Sequence, residues 1–140
     1  MDDLQQRIAA NFTRQSFMST LGARLVLVAD GEVHIALSFS DALTQQHGYL
    51  HAGAITSIVD SACGYAALTR APAGSDIVSA EFKINLLRPG IGERFLAIGK
   101  VQNAGKTLTV CTGEVRAFDG TSDRHKVIAL MQATMANVRR

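Results

Sequence analysis

His51-Ala-Gly-Ala-Ile-Thr-Ser-Ile-Val-Asp60-Ser-Ala-Cys-Gly-Tyr-Ala-Ala-Leu-Thr-Arg70 is the stretch around which the rest of this chain arranges itself. Ala, Gly, Ser and Thr dominate it, no proline interrupts it, and the polar loop Thr44-Gln45-Gln46-His47-Gly48 leads into it. This composition predicts a single long helix from about His51 to Arg70. Ala52, Gly53, Ala54, Ile55, Ile58, Val59, Ala62, Cys63, Gly64, Ala66 and Ala67 leave it no wholly polar face, so the helix is expected to be buried nearly all round.

The flanks change period. Upstream, Arg24-Leu-Val-Leu-Val28, then Asp30-Gly31, then alternating Val33, Ile35, Leu37 and Phe39 predict a β-hairpin with a tight Asp-Gly turn. Earlier still, Leu4, Ile8 and Phe12 recur every four residues, the mark of an N-terminal helix that packs by one face. Downstream, strand-like runs at about 77–88, 93–102, 106–118 and 124–137 are separated by Pro89-Gly90, Asn103-Ala-Gly105 and Asp119-Gly120. Helix, two strands, one buried helix and four strands read as an α+β protein, an antiparallel sheet curled around the long helix. With 140 residues and no linker, repeat or low-complexity tract, residues 1–140 are expected to form one domain.

Composition narrows the function. Hydrophobic residues make up 47% of the chain and charged ones 19%, enough apolar surface for a folded core. A formal net charge of +2 with scattered basic residues argues against a nucleic-acid partner, so an anionic partner is expected to be small. The start, Met1-Asp2-Asp3-Leu4, is acidic, and no apolar run approaches the roughly 18 residues that cross a bilayer; a cytoplasmic protein without a membrane partner is the expectation. Cys63 and Cys111 lie in apolar surroundings without metal-like spacing and are expected to be reduced and buried.

Asp60 is the only charged residue between Asp41 and Arg70. Burial of a carboxylate costs several kcal/mol unless it is paired or hydrogen-bonded, so its place in this helix needs a reason. Thr56, Ser57, Cys63 and Gly64, one turn away on the same face, are small and leave room beside it; Thr56 and Ser57 also offer hydroxyl partners. Catalysis and a merely hydrogen-bonded buried acid are both consistent with this. At the other end, Gly48-Tyr49-Leu50-His51-Ala52-Gly53 delivers glycines to a helix start, where unsatisfied N–H groups and the dipole favour an anion or oxyanion. The nine residues from His51 to Asp60 span roughly 13 Å of helix, too far for both to touch one carbonyl, so a complete site requires a two-fold dimer.

Gln45-Gln-His-Gly48-Tyr-Leu-His51-Ala-Gly53 followed by Asp60 resembles the signature of PaaI-like hotdog thioesterases, roughly N-x-x-G-x-x-H-G-G-x6-D, with matching spacing. Val78-Ser79-Ala80, Leu87-Arg88-Pro89-Gly90 and Ala104-Gly105-Lys106-Thr107-Leu108 also look like that family's later strands. The resemblance implies the hotdog fold and hydrolysis of an acyl-CoA thioester, aromatic or medium to long chain. No cofactor is implied beyond the coenzyme A of the substrate. It puts Asp60 at the general base or nucleophile and Ala52 and Gly53 at the oxyanion site, and it implies a homotetramer formed from two such homodimers. Gln45 stands where the family has Asn, and Ala52 replaces the first glycine of the pair while keeping its N–H. Gly48 and His51 flank the site, His51 as a residue that fixes the loop. Ser79 aligns with a hydroxyl that assists the carboxylate in some relatives, whereas simple alternation puts it on the face of Glu81 and Lys83, opposite Val78, Ala80 and Phe82. Arg88, Lys100 and the Lys106-Thr107 turn are candidates for the phosphates of coenzyme A. A non-catalytic acyl-CoA-binding protein and an acyl-CoA hydratase or dehydratase are the alternatives; the latter lacks an evident acid–base pair on the helix.

Three weaker signals are set aside. Gly105-Lys106-Thr107 has Lys100 where a P-loop needs glycine, and a strand follows it. His47 and His51 lack a third ligand in sequence, so no metal is expected. Phe12, Phe17 and Met18 could line an acyl pocket, although core packing explains such residues more often.

Overall fold

The computed structural model describes residues 2–139, with helix α3, Ala52–Leu68, at its centre. Around it curls one six-stranded sheet made of β1 (Arg24–Ala29), β2 (Glu32–Ser38), β3 (Ser75–Leu86), β4 (Arg94–Ala104), β5 (Leu108–Phe118) and β6 (His125–Arg139). The order is β1-β2-β4-β5-β6-β3 and every pairing is antiparallel, the hotdog arrangement. The sheet thus ends in two edges, β1 and β3. Among the described residues no helix is long and apolar enough to cross a membrane.

α3 forms because its alanines and aliphatic residues pack on one broad face. Ala54, Ile55, Ile58, Val59, Ala62, Cys63, Ala66 and Ala67 are all buried. The closest approach to the sheet lies over Gly99 and Gly113, which face each other across β4 and β5. A Cβ on Gly99 would enter the backbone of Ala62 and come within 2.6 Å of the Cys63 nitrogen; one on Gly113 would lie 2.6 Å from Val59 Cγ2. These glycines let the helix sit deep in the curled sheet.

The helix is not buried all round. Gly53 is exposed, and Thr56, Ser57, Asp60, Ser61 and Gly64 are half-buried, forming an open stripe along it. The reason is topological: β3 closes one edge of the sheet, and among the described residues no strand packs beyond it.

The β1–β2 hairpin turns at Asp30-Gly31, with Gly31 at φ 76°. Thr69 Oγ1 accepts from the Gly31 N–H at 2.8 Å and Arg70 Nε donates to Asp30 Oδ1 at 2.5 Å, tying that turn to the end of α3. The N-terminal helix α1 runs Asp3–Arg14, capped by Asp2 and Gln5, with Ile8 buried and Leu4 and Phe12 packed on the core. A second short helix, α2 (Ser16–Leu21), follows; the sequence reading did not anticipate it. Met18 and Leu21 are buried in the core from α2, and Phe17 is exposed.

β3 departs from plain alternation. Ser79 pairs with Met135 and Glu81 with Thr134, so Ala80 is the extra residue of a β-bulge. The bulge resets the faces: Ser79 joins Phe82, Ile84 and Leu86, whose partners Ala133, Met131 and Ala129 are buried under α3. The expectation that Ser79 shares a face with Glu81 and Lys83 is therefore wrong. Even on this inner face Phe82 and Leu86 are 43% and 48% exposed, because the edge of the sheet is uncovered.

Candidate active site

Asp60 lies mid-way along the open stripe of α3, half-buried, with Ser79 beside it. Ser79 Oγ donates to Asp60 Oδ1 at 2.7 Å. The neighbouring hydroxyls on the helix are not its partners, since Ser57 Oγ donates instead to the Gly53 carbonyl at 2.6 Å. Asp60 Oδ2 has no hydrogen bond among the described residues and faces a cleft of about 410 Å³ that α1 and β3 also line. Burial raises the Asp60 carboxyl above its ordinary value, and the Ser79 hydroxyl opposes that rise by stabilising the charged form. A partly desolvated carboxylate with one free oxygen and an open cleft is suited to take a proton from water or to attack a carbonyl.

The start of α3 forms a second cleft, of about 390 Å³, lined by Gln45, Ala52 and Ile55 with the segment from Leu86 to Gly90. His51 is the N-cap, with extended backbone at φ −63° and ψ 139°, and its Nδ1 accepts from the Gly53 N–H at 2.7 Å. This fixes the His51 ring with its proton on Nε2. The His51 carbonyl accepts from the Ala54 and Ile55 N–H groups. Among the described residues the Ala52 N–H is left without a partner, the one open donor of the first turn. Of the two expected oxyanion residues, Gly53 is therefore occupied by His51 and Ala52 is free.

The loop before α3 is held rigidly. Gln45 Oε1 accepts from the His47 and Tyr49 N–H groups at 2.5 and 3.2 Å, and the Gln45 N–H donates to the Tyr49 carbonyl at 2.9 Å. Gly48 turns the chain at φ 82°. With its carbonyl used by the loop, Gln45 has only its Nε2 amide to offer, and that group has no partner among the described residues.

The two clefts share no lining residue. Arg88, Lys106 and Thr107 are separated in the same way. Arg88 lines the Ala52 cleft and donates to the Val127 carbonyl at 2.7 Å. Lys106 and Thr107 lie in the β4–β5 turn, where their carbonyls accept from Asn137 of β6, next to the end of the sheet that carries Ser79. Lys100, on β4, reaches Glu32 of the neighbouring strand β2 at 4.0 Å.

The sequence profile of the Thioesterase superfamily matches residues 47–123, from the loop before α3 to the turn after β5. A candidate esterase of Saccharolobus solfataricus is 34% identical over 100 residues, 71% of this chain and 71% of that protein. The chain belongs to the thioesterase superfamily. A thioesterase family protein from Silicibacter pomeroyi has 40% identity and a TM-score of 0.94, over 98% of this chain and 99% of that one. The E. coli PaaI protein of the phenylacetic acid degradation operon shares the fold, with TM-score 0.84 at 21% identity over 96% of this chain and 93% of its own. Membership in the superfamily makes the chain a hydrolase of the thioesterase kind.

In this thioesterase the Asp60 cleft holds residues that sequence reasoning missed. Ser61 Oγ donates to Gln15 Oε1 at 3.2 Å, Gln15 Nε2 donates to Tyr65 Oη at 2.9 Å, and Tyr65 Oη donates to Asn11 Oδ1 at 3.0 Å. Gln15 and Asn11 come from the N-terminal helical segment, whose polar side carries no periodic signal that could have marked it. Phe12, expected as a possible acyl-pocket residue, packs on Tyr65 with ring centroids 5.8 Å apart, and Met18 is buried in the core. Cys63 and Cys111 are both buried and free, and burial raises both thiols, Cys111 to about 11. Neither is poised as a thiolate.

Proposed function

We propose that this thioesterase hydrolyses acyl-CoA thioesters in a site shared by two copies of the chain. Asp60 of one subunit delivers the attack on the thioester carbonyl, by deprotonating a water or as the nucleophile itself. The Ala52 N–H of the other subunit stabilises the oxyanion, with the Gln45 amide beside it. The C–S bond then breaks and coenzyme A leaves as the thiol, taking the proton held by Asp60 in the first route or one from water in the second, where a further water hydrolyses the acyl–Asp60 anhydride to the free acid. Ser79 keeps the carboxylate ionised and oriented.

The observation that carries this reading is the division of the groups between two unconnected clefts: the carboxylate in one, the open amide in the other. The exposed edge strand β3, with Val78, Phe82 and Leu86 uncovered, supplies a surface for the second copy. Antiparallel pairing of β3 with its copy about a two-fold axis would set the Ser79 end of one strand beside the Leu86 end of the other. Leu86 leads into Arg88 and the Ala52 cleft, so both composite sites would be completed at once.

Release of free thiol from a panel of aromatic, hexanoyl, decanoyl and palmitoyl CoA esters tests the activity. Asp60→Asn tests the carboxylate. Ala52→Pro tests the amide, because proline is well tolerated at the first helical position and simply removes the N–H. Each variant is expected to be inactive alone, and a mixed dimer of the two to recover activity at its one intact site. Absence of recovery in a verified mixed dimer would sink the shared site.

A further inference from the structure

Gly64 stands apart from the other glycines packed in the core. Gly99 and Gly113 have no room for a Cβ, whereas a Cβ on Gly64 would meet nothing within 4 Å. Glycine inside a helix costs roughly 0.5–1 kcal/mol relative to alanine. Its backbone is helical, so neither packing nor a left-handed conformation accounts for it. What Gly64 leaves empty is the cleft one turn beyond Asp60 on the same face of α3.

The wall of that space is polar and charged for the most part, with Arg14 and Asp76 among its residues and Leu68 and Ile77 as its apolar part. Asn11, Gln15, Ser61 and Tyr65 are joined in one chain of hydrogen bonds, and all four line the same cleft as Gly64 and Asp60. The chain uses the Asn11 Oδ1 acceptor, one donor and the Oε1 acceptor of Gln15, and the Ser61 donor, leaving the Asn11 Nδ2 amide and the Ser61 oxygen with unused bonding capacity. An aliphatic tail laid against these groups would strip them of water without replacing it, which is unfavourable.

We infer that this cleft receives the acyl group, with Gly64 setting the room available and the Asn11–Tyr65–Gln15–Ser61 chain selecting acyl groups that bear a hydroxyl or similar substituent. This assignment rests on the acyl-CoA reading above. With the carbonyl at Asp60, Gly64 lies about 6 Å along the helix and Tyr65 about 7.5 Å. The far end of a six-carbon acyl group falls at that level.

The test compares hexanoyl-CoA with 6-hydroxyhexanoyl-CoA, with butyryl-CoA as the short reference. Wild type is expected to prefer the hydroxylated ester in kcat/KM, by about 3- to 10-fold for one neutral hydrogen bond. Asn11→Leu should erase or invert that preference. Gly64→Leu should raise the butyryl to 6-hydroxyhexanoyl ratio at least tenfold while the dimer, followed by light scattering, persists. An equal loss on all three esters would mean that the cleft holds the pantetheine arm, and dissociation of the Gly64→Leu dimer would mean that the glycine serves the partner helix; either overturns the assignment. Calorimetric binding of the two six-carbon esters to Asp60→Asn reads the same selectivity without turnover. Selective binding with an inactive wild type would then fail the hydrolase reading but keep the cleft, and unselective binding would fail the cleft.

Discussion

The two sides of α3 obey different rules. On the side toward the sheet, Val59, Ala62 and Cys63 press onto Gly99 and Gly113 with no space for a single added methyl group. On the other side Asp60, Ser61 and Gly64 stand half-buried along an open cleft, and the charged residue lacks an ion-pair partner among the described residues. The first side is shaped for stability and the second at its expense. Substitutions should therefore cost stability on the packed side, and on the open side lower turnover or raise stability.

The largest effect is expected on the open side. Asp60→Asn should lower kcat for CoA-ester hydrolysis by about 10²- to 10⁴-fold. The same change should raise the thermal midpoint at neutral pH. Because burial lifts the Asp60 carboxyl, the folded chain holds that proton more tightly than the unfolded one. This contribution to stability is complete at low pH and is lost as pH rises through the lifted value. The stability gap between Asp60→Asn and wild type should accordingly widen as pH rises above the usual carboxylate range, then level off. A gap independent of pH would show that the carboxylate carries no burial penalty.

Next comes the packed side. Gly99→Ala forces a methyl group into the Ala62 backbone and should cost about 1–3 kcal/mol in urea denaturation. Activity per folded molecule should persist, unlike Asp60→Asn; a folded but inactive Gly99→Ala would break the division between the sides. Of similar size, Ser79→Ala removes the hydroxyl that supports the Asp60 charge, and a bond to a charged group is worth about 1.5–3 kcal/mol. Turnover should fall about tenfold or more, and the acid limb of the pH–rate profile should move to higher pH. An unmoved acid limb would mean that Ser79 acts by position alone. The smallest effect is Gly64→Ala, expected to stabilise the fold by up to about 1 kcal/mol because the space is empty and the helix gains propensity.

Much of this was legible in the chain. The alternation in 33–39, the Asp-Gly turn, the proline-free small-residue stretch at 51–70 and the turn-bounded runs between 77 and 137 are local patterns, and the hairpin, the central helix and the four later strands were legible because they follow from residues close in sequence. Asp60 was visible for the same reason, a lone charge in an apolar helix, and the spacing between His51 and Asp60 already set the helix start apart from the carboxylate.

Other features depended on residues far apart in the chain. Ser79 reaches Asp60 only because the bulge at Ala80 shifts its strand against β6, and alternation alone turned it away. Which of Ala52 and Gly53 keeps an open N–H was decided by the direction of the His51 ring, and the polar wall of Asn11 and Gln15 by the docking of the N-terminal helices over Tyr65. Above all, the sequence shows Gly64, Gly99 and Gly113 as the same residue. Only the packed structure separates two glycines that fill with helix from one that leaves room, because the space at a missing Cβ is defined by whatever the rest of the chain brings to it.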